Sequence, residues 1–212
     1  MAPDRRSFLV QSAALLGGLA LPAAADAAAP ATHTVCGFDK KRKTKLCTVS
    51  VKGPLQYFPA RGGGNDVSGC WVACLQMVLK FYGHVVPAAN ILRDCYGGKV
   101  PRNPWQDLSA LKGQVTDEKG RKLSLTTEKL SVRATDAAEL LADNQPLIIG
   151  AFQPAHPVLL TSMSYTGDMF GGMTIVDATV LDPSQGKGTR IVSSPDWVNV
   201  TFITRVALHK KG

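Results

Sequence analysis

Leu147-Ile148-Ile149-Gly150-Ala151-Phe152 and Pro157-Val158-Leu159-Leu160-Thr161-Ser162-Met163-Ser164-Tyr165 decide the fold class, because here the apolar pattern turns from helical to β. Further short apolar runs follow at Met173–Leu181, Thr189–Val192 and Val198–Leu208, with Gly167, Gly171, Gly172 and Gly186 as turns between them. Upstream, the apolar stretch from Cys70 to Phe81 reads as a helix, a second helix fits Ala88–Cys95, and a third runs from near Trp105 to before Gly113. Leu55–Phe58 and Leu123-Ser124-Leu125 read as short strands. Asp136-Ala137-Ala138-Glu139-Leu140-Leu141 opens with a capping-box spacing and predicts a helix to about Asp143. A helical first half followed by an antiparallel sheet is an α+β arrangement, with an N-terminal helical lobe on one side of a cleft and the sheet on the other.

The first 25 residues read as a cleavable export signal. Arg5-Arg6-Ser7-Phe8-Leu9 is similar to a twin-arginine signal, the apolar segment ending near Leu21 is too short to span a bilayer, and Ala23-Ala24-Ala25-Asp26-Ala27 offers small-residue cleavage sites. The expected localisation is periplasmic or secreted, with no transmembrane anchor. Removing Arg5, Arg6 and Asp4 lowers the formal charge of +8 by one, to +7. Such a basic chain favours an anionic cell-envelope surface, and nucleic acid is not expected. The run Lys40-Lys41-Arg42-Lys43-Thr44-Lys45 reads as the tip of a basic hairpin spanning residues 26–53, a solvated turn rather than a dedicated binding patch, since no aromatic residues interleave it for base stacking. Residues 54–212 form the main domain in this reading.

Five cysteines in an exported chain leave at least one outside any intramolecular bridge. Cys36 and Cys47 flank the basic loop and suit a cross-strand pair, and Cys74 with Cys95 could staple two helices. Cys70 is then the remaining thiol. It opens the helix Gly69-Cys70-Trp71-Val72-Ala73-Cys74 after Gly62-Gly63-Gly64, where Asp66 or Ser68 can cap the helix. A thiolate at a helix start is favoured by N–H groups that lack intrahelical partners.

A nucleophilic thiol needs a base, and the base needs a group to orient it. Among His33, His84, His156 and His209, His156 stands at the head of a strand, where a side chain can project into a cleft. Asp177 and Asp182, on a neighbouring strand, are the candidate orienters; Asp182 precedes Pro183, where a carboxylate can turn toward the cleft or simply start a turn.

Together, Gly69–Cys74, Pro146–Gly150, His156 and Asp182-Pro183-Ser184-Gln185-Gly186 resemble the papain-like cysteine peptidases, in particular the short bacterial branch that includes relatives of the bacteriocin leader-processing peptidases. The resemblance runs from about Leu55 to Arg190. It implies Cys70 as nucleophile, His156 as general base and acid, Asp182 as orienter, a peptide or protein substrate, and neither cofactor nor metal. The family's glutamine before the nucleophile has no counterpart between Gln56 and Cys70, so Asn65 is the candidate oxyanion donor beside the Cys70 N–H. The competing readings are a binding or regulatory module without turnover, an acyl transferase using the same thioester, and a metal site built from Cys70, Cys74, His84 and Cys95.

Overall fold

The computed structural model describes residues 34–60, 67–98, 111–167 and 172–209. The proposed signal, His33, Asn65 and Trp105 lie outside these residues. The described chain forms nine strands and four helices in the order β1 (Thr34–Asp39), β2 (Thr44–Ser50), α1 (Val67–Phe81), α2 (Ala88–Tyr96), β3 (Lys112–Thr116), β4 (Lys122–Leu130), α3 (Ala134–Ala142), β5 (Leu147–Ala151), β6 (His156–Gly167), β7 (Met173–Asp182), β8 (Gly188–Ser193), α4 (Ser194–Trp197) and β9 (Ile203–His209).

All nine strands belong to one sheet, and every pairing is antiparallel. This corrects the expected papain-like α+β architecture with an N-terminal helical lobe. Four of the strands precede the β-rich region that opens at Leu147. β2 pairs with β6, and β4 pairs with β9, so strands from both ends of the chain interleave. The long β6 organises this arrangement: β7 runs along it from Leu159 to Gly167, and its other edge takes β5 over His156–Leu160 and β2 over Ser162–Thr166.

The side-chain period of 2 explains why the sheet carries apolar residues on both faces. Ile148 and Leu159 face one way and pack with Trp71, Leu75, Met77, Val78 and Ile91 of α1 and α2. Leu147, Ile149, Val158 and Leu160 face the other way and pack with Ala137, Leu141 and Trp197 of α3 and α4. β5 is therefore buried at all five positions, which is why Leu147-Ile148-Ile149 is a continuous apolar run rather than an alternating one. Gly150 is required by close approach. A Cβ there would sit 2.3 Å from the Phe202 ring and 2.4 Å from Thr201 Oγ1, while its N–H and C=O bond Phe202 and Thr201.

The Cys36–Cys47 bridge joins directly opposed residues of β1 and β2. The expected Cys74–Cys95 bridge is absent. Cys74 is wholly buried in the α1 cluster, where the apolar environment that drew its helix inward also fixes the thiol, and Cys95 lies half-buried beside Gly113. Leu55–Phe58 forms no strand, and the last strand, expected from Val198, begins only at Ile203: residues 198–202 are turn and loop after the short helix α4, which Ser193 caps. The α3 helix forms, although no side chain caps its first turn; Arg133 and Ser131 bond Asp136 instead. No helix among the described residues is long and apolar enough to cross a membrane.

Candidate functional site

Cys70 lies in the first turn of α1, a turn without acidic side chains, and is 5% exposed. The apolar face of α1 packs over Leu159 and Leu181, near the end of the sheet where β6 begins and β7 stops. Antiparallel pairing makes that end common to both strands: Leu159 opposes Leu181, so His156 at the head of β6 and Asp182 at the tail of β7 become neighbours.

The His156 Nε2 lies 3.0 Å from Asp182 Oδ1. The same oxygen accepts the Ser184 N–H at 2.9 Å, so Asp182 starts an Asx-type turn and orients the histidine at once. Its other oxygen accepts Arg190 Nη1 at 2.6 Å. The carboxylate is fully buried, and burial by itself raises its pKa. The hydrogen bonds from His156, Arg190 and Ser184 outweigh that penalty and hold it well below the usual carboxylate range.

The other ring nitrogen, His156 Nδ1, lies 3.1 Å from the Pro154 carbonyl. Both ring nitrogens thus face acceptors, and the ring satisfies both only as an imidazolium. Burial opposes that charge, but the bonds to Asp182 and Pro154 prevail and raise the His156 pKa above its ordinary value. Phe152 stacks on the imidazole with ring centroids 5.7 Å apart, and the Arg190 guanidinium lies 3.5 Å over the Phe152 ring. Phe152 adopts φ +69°, a left-handed conformation that costs a bulky residue on the order of 1–3 kcal/mol. The ring contacts both the Arg190 cation and the imidazole there.

Ser184 joins the two halves of the site. Its Oγ is 3.9 Å from Cys70 Sγ, and its N–H is on Asp182. Tyr57 Oη donates toward the Pro183 and Ser184 carbonyls at 3.4 and 3.2 Å, and the Ala60 N–H donates to the Pro183 carbonyl at 2.8 Å. The segment before α1 therefore buttresses the turn that carries Ser184. Sequence reasoning placed Cys70, His156 and Asp182 in one site and assigned nothing to Ser184, Arg190, Phe152 or Tyr57. The Asp-Pro-Ser turn was the one signal for Ser184.

Asp177, the other candidate orienter, opposes Ser164 well inside β7. His84 belongs to a separate cluster with Asp117 and Arg121. Trp71 is fully buried, edge-on to Tyr96 with ring centroids 4.6 Å apart, and so packs the core. Among the described residues no three His, Cys, Asp or Glu side chains gather into a metal-holding group, so the set Cys70, Cys74, His84 and Cys95 does not assemble. Burial pushes the Cys74 thiol well up, reinforced by Cys70 and Asp182; burial and then Asp94 push Cys95 up to about 11. Asn65 lies outside the described residues.

In comparisons with known proteins, no family model matches the chain, and neither a curated protein nor a solved structure is found similar to it.

Proposed function

We propose that the protein is an exported cysteine hydrolase that cleaves peptide or amide bonds through Cys70, His156 and Asp182. The observation that carries this reading is the continuous path from the Cys70 thiol to Ser184, from Ser184 to Asp182 Oδ1, and from that oxygen to His156 Nε2. In the reaction, the Cys70 thiol gives its proton to His156 Nδ1, the thiolate attacks the amide carbonyl carbon and the carbonyl π electrons move onto oxygen. Collapse of this oxyanion expels the amine, which takes a proton from His156, and leaves a thioester on Cys70. His156 then removes a proton from water, the hydroxide attacks the thioester, and the acid leaves as the thiol is restored. Asp182 holds Nε2 throughout, which reserves Nδ1 for proton transfer once it exchanges the Pro154 carbonyl for the reacting groups. Asn65 and the Cys70 N–H are the proposed oxyanion donors.

A binding module without turnover is the second reading. One observation favours it: Nδ1, the nitrogen that must serve the thiol, is engaged by a backbone carbonyl. Incubating wild type and Cys70→Ala with a diverse peptide library separates the two. Hydrolysis predicts cleavage products from the wild type alone; a wild type that binds peptides and releases no products supports the module.

A further inference from the structure

The hairpin β1–β2 has no part in the site just described, and three of its features belong together. Its tip, residues 40–43, is Lys40-Lys41-Arg42-Lys43, with Lys45 following in β2. The local acid, Asp39, is used internally: Oδ1 accepts the Lys41 and Arg42 N–H groups at 2.8 and 3.2 Å, and Oδ2 pairs with Arg42 Nη1 at 2.8 Å. Arg42 is thereby neutralised and the turn is shaped. Lys40, Lys41, Lys43 and Lys45 have no ion-pair partner among the described residues.

The outer strand of the same hairpin exposes two large apolar residues. Phe38, 69% exposed, opposes Lys45, and Val35, 76% exposed, lies three residues before it on the outermost strand of the sheet. The Cys36–Cys47 bridge between them holds the two strands in register, so the four ammonium groups are presented by a braced arm. A solvated turn has no need of an exposed phenyl ring beside its cations.

We infer that this hairpin docks on an anionic phospholipid bilayer, its lysines against the headgroup phosphates and Phe38 inserted at the acyl boundary. Charge complementarity selects an anionic surface, and the exposed aromatic selects one with apolar depth, which a dissolved polyanion lacks. Long lysine stems suit this geometry, since they keep the ammonium at the phosphate level while the stem lies along apolar surface. The inference is independent of the catalytic reading.

Co-sedimentation of the full chain with vesicles of mixed phosphatidylglycerol and phosphatidylcholine, against vesicles of phosphatidylcholine alone, tests it. Every protein compared shares the apolar N-terminal segment, so the differences report on the hairpin. Wild type partitions to the anionic vesicles, and each Lys→Gln change at 40, 41, 43 or 45 lowers the partition coefficient roughly fivefold. The quadruple Lys→Gln variant binds on the order of several hundredfold less, and Phe38→Ser loses roughly tenfold, a loss that persists in high salt because apolar burial is not screened. All these positions are exposed, and an unchanged Tm confirms that each variant folds. A quadruple variant that sediments like wild type overturns the inference, as does a Phe38→Ser variant with undiminished vesicle binding.

Discussion

Two His–Asp–Arg clusters occur among the described residues, one at each of two β-turns, and they differ in what they leave unfinished. At the β3–β4 turn, Asp117 accepts the Lys119 and Arg121 N–H groups and pairs with Arg121 Nε at 2.6 Å, while His84 Nδ1 lies 3.7 Å away and 3.3 Å from Arg121 Nη2. Every strong bond there goes to the turn or the arginine. At the β7–β8 turn, Asp182 again braces its turn and takes an arginine, but it also holds the imidazole at 3.0 Å, and that turn brings Ser184 to a thiol. The same three residue types make a structural clamp in one place and a candidate reaction centre in the other. The distinguishing features are a directed hydrogen bond from the histidine and a thiol at the same sheet end.

The sharpest way to break this comparison is to neutralise each carboxylate. Asp182→Asn is expected to lower kcat roughly 10³- to 10⁴-fold, because the amide no longer fixes the imidazole in the tautomer that leaves Nδ1 for proton transfer. Asp117→Asn is expected to lower Tm by a few degrees and to leave kcat within about twofold, since it loosens a turn remote from the thiol. Peptide turnover and thermal melting of both variants measure this. Equal losses of activity in the two would erase the distinction between clamp and centre.

A smaller effect sharpens the electrostatics. His156 has a raised native pKa, so the pair contributes stability that is fully present below about pH 6.5 and lost as pH climbs through the native value. Asp182 is lowered, so its contribution is present above about pH 4 and lost as pH falls toward its native value. Arg190 lowers both groups. Arg190→Gln is therefore expected to move the His156 titration to higher pH by NMR and to shift the acid limb of the Tm profile to higher pH as well. A His156 titration that moves down would mean that Arg190 acts mainly through packing on Phe152.

Local patterns carried the elements that local forces make. The apolar face of α1, the cross-strand cysteines of β1–β2 and the β-rich runs from Leu147 to Val192 each announced a correct element. The architecture was not local. β3, Lys112-Gly113-Gln114-Val115-Thr116, buries Val115 alone and has no alternation to read, and β4 finds its partner β9 across more than 70 residues. Without β3, and with β4 read only as the short strand Leu123-Ser124-Leu125, the chain before Pro146 looks mainly helical, and the helical lobe is the consequence. The site divided in the same way. A histidine opening one strand and an aspartate closing the next meet in any antiparallel pair, so His156 and Asp182 were legible. Ser184 touches Cys70 across 114 residues, and Arg190 reaches Asp182 through the β7–β8 register, which no sequence spacing encodes.

The most direct test of Cys70 as the proposed nucleophile is its chemistry beside the other thiols of the chain. Cys74 is sealed in the core and burial pushes the Cys95 thiol up to about 11, so at pH 7 a thiol-directed epoxide should add once, at Cys70, as located by peptide mass spectrometry. His156→Ala should slow that addition roughly a hundredfold. Labelling that persists in Cys70→Ala, or that proceeds at Cys70 with undiminished rate in His156→Ala, would contradict a thiol activated by His156 and Asp182.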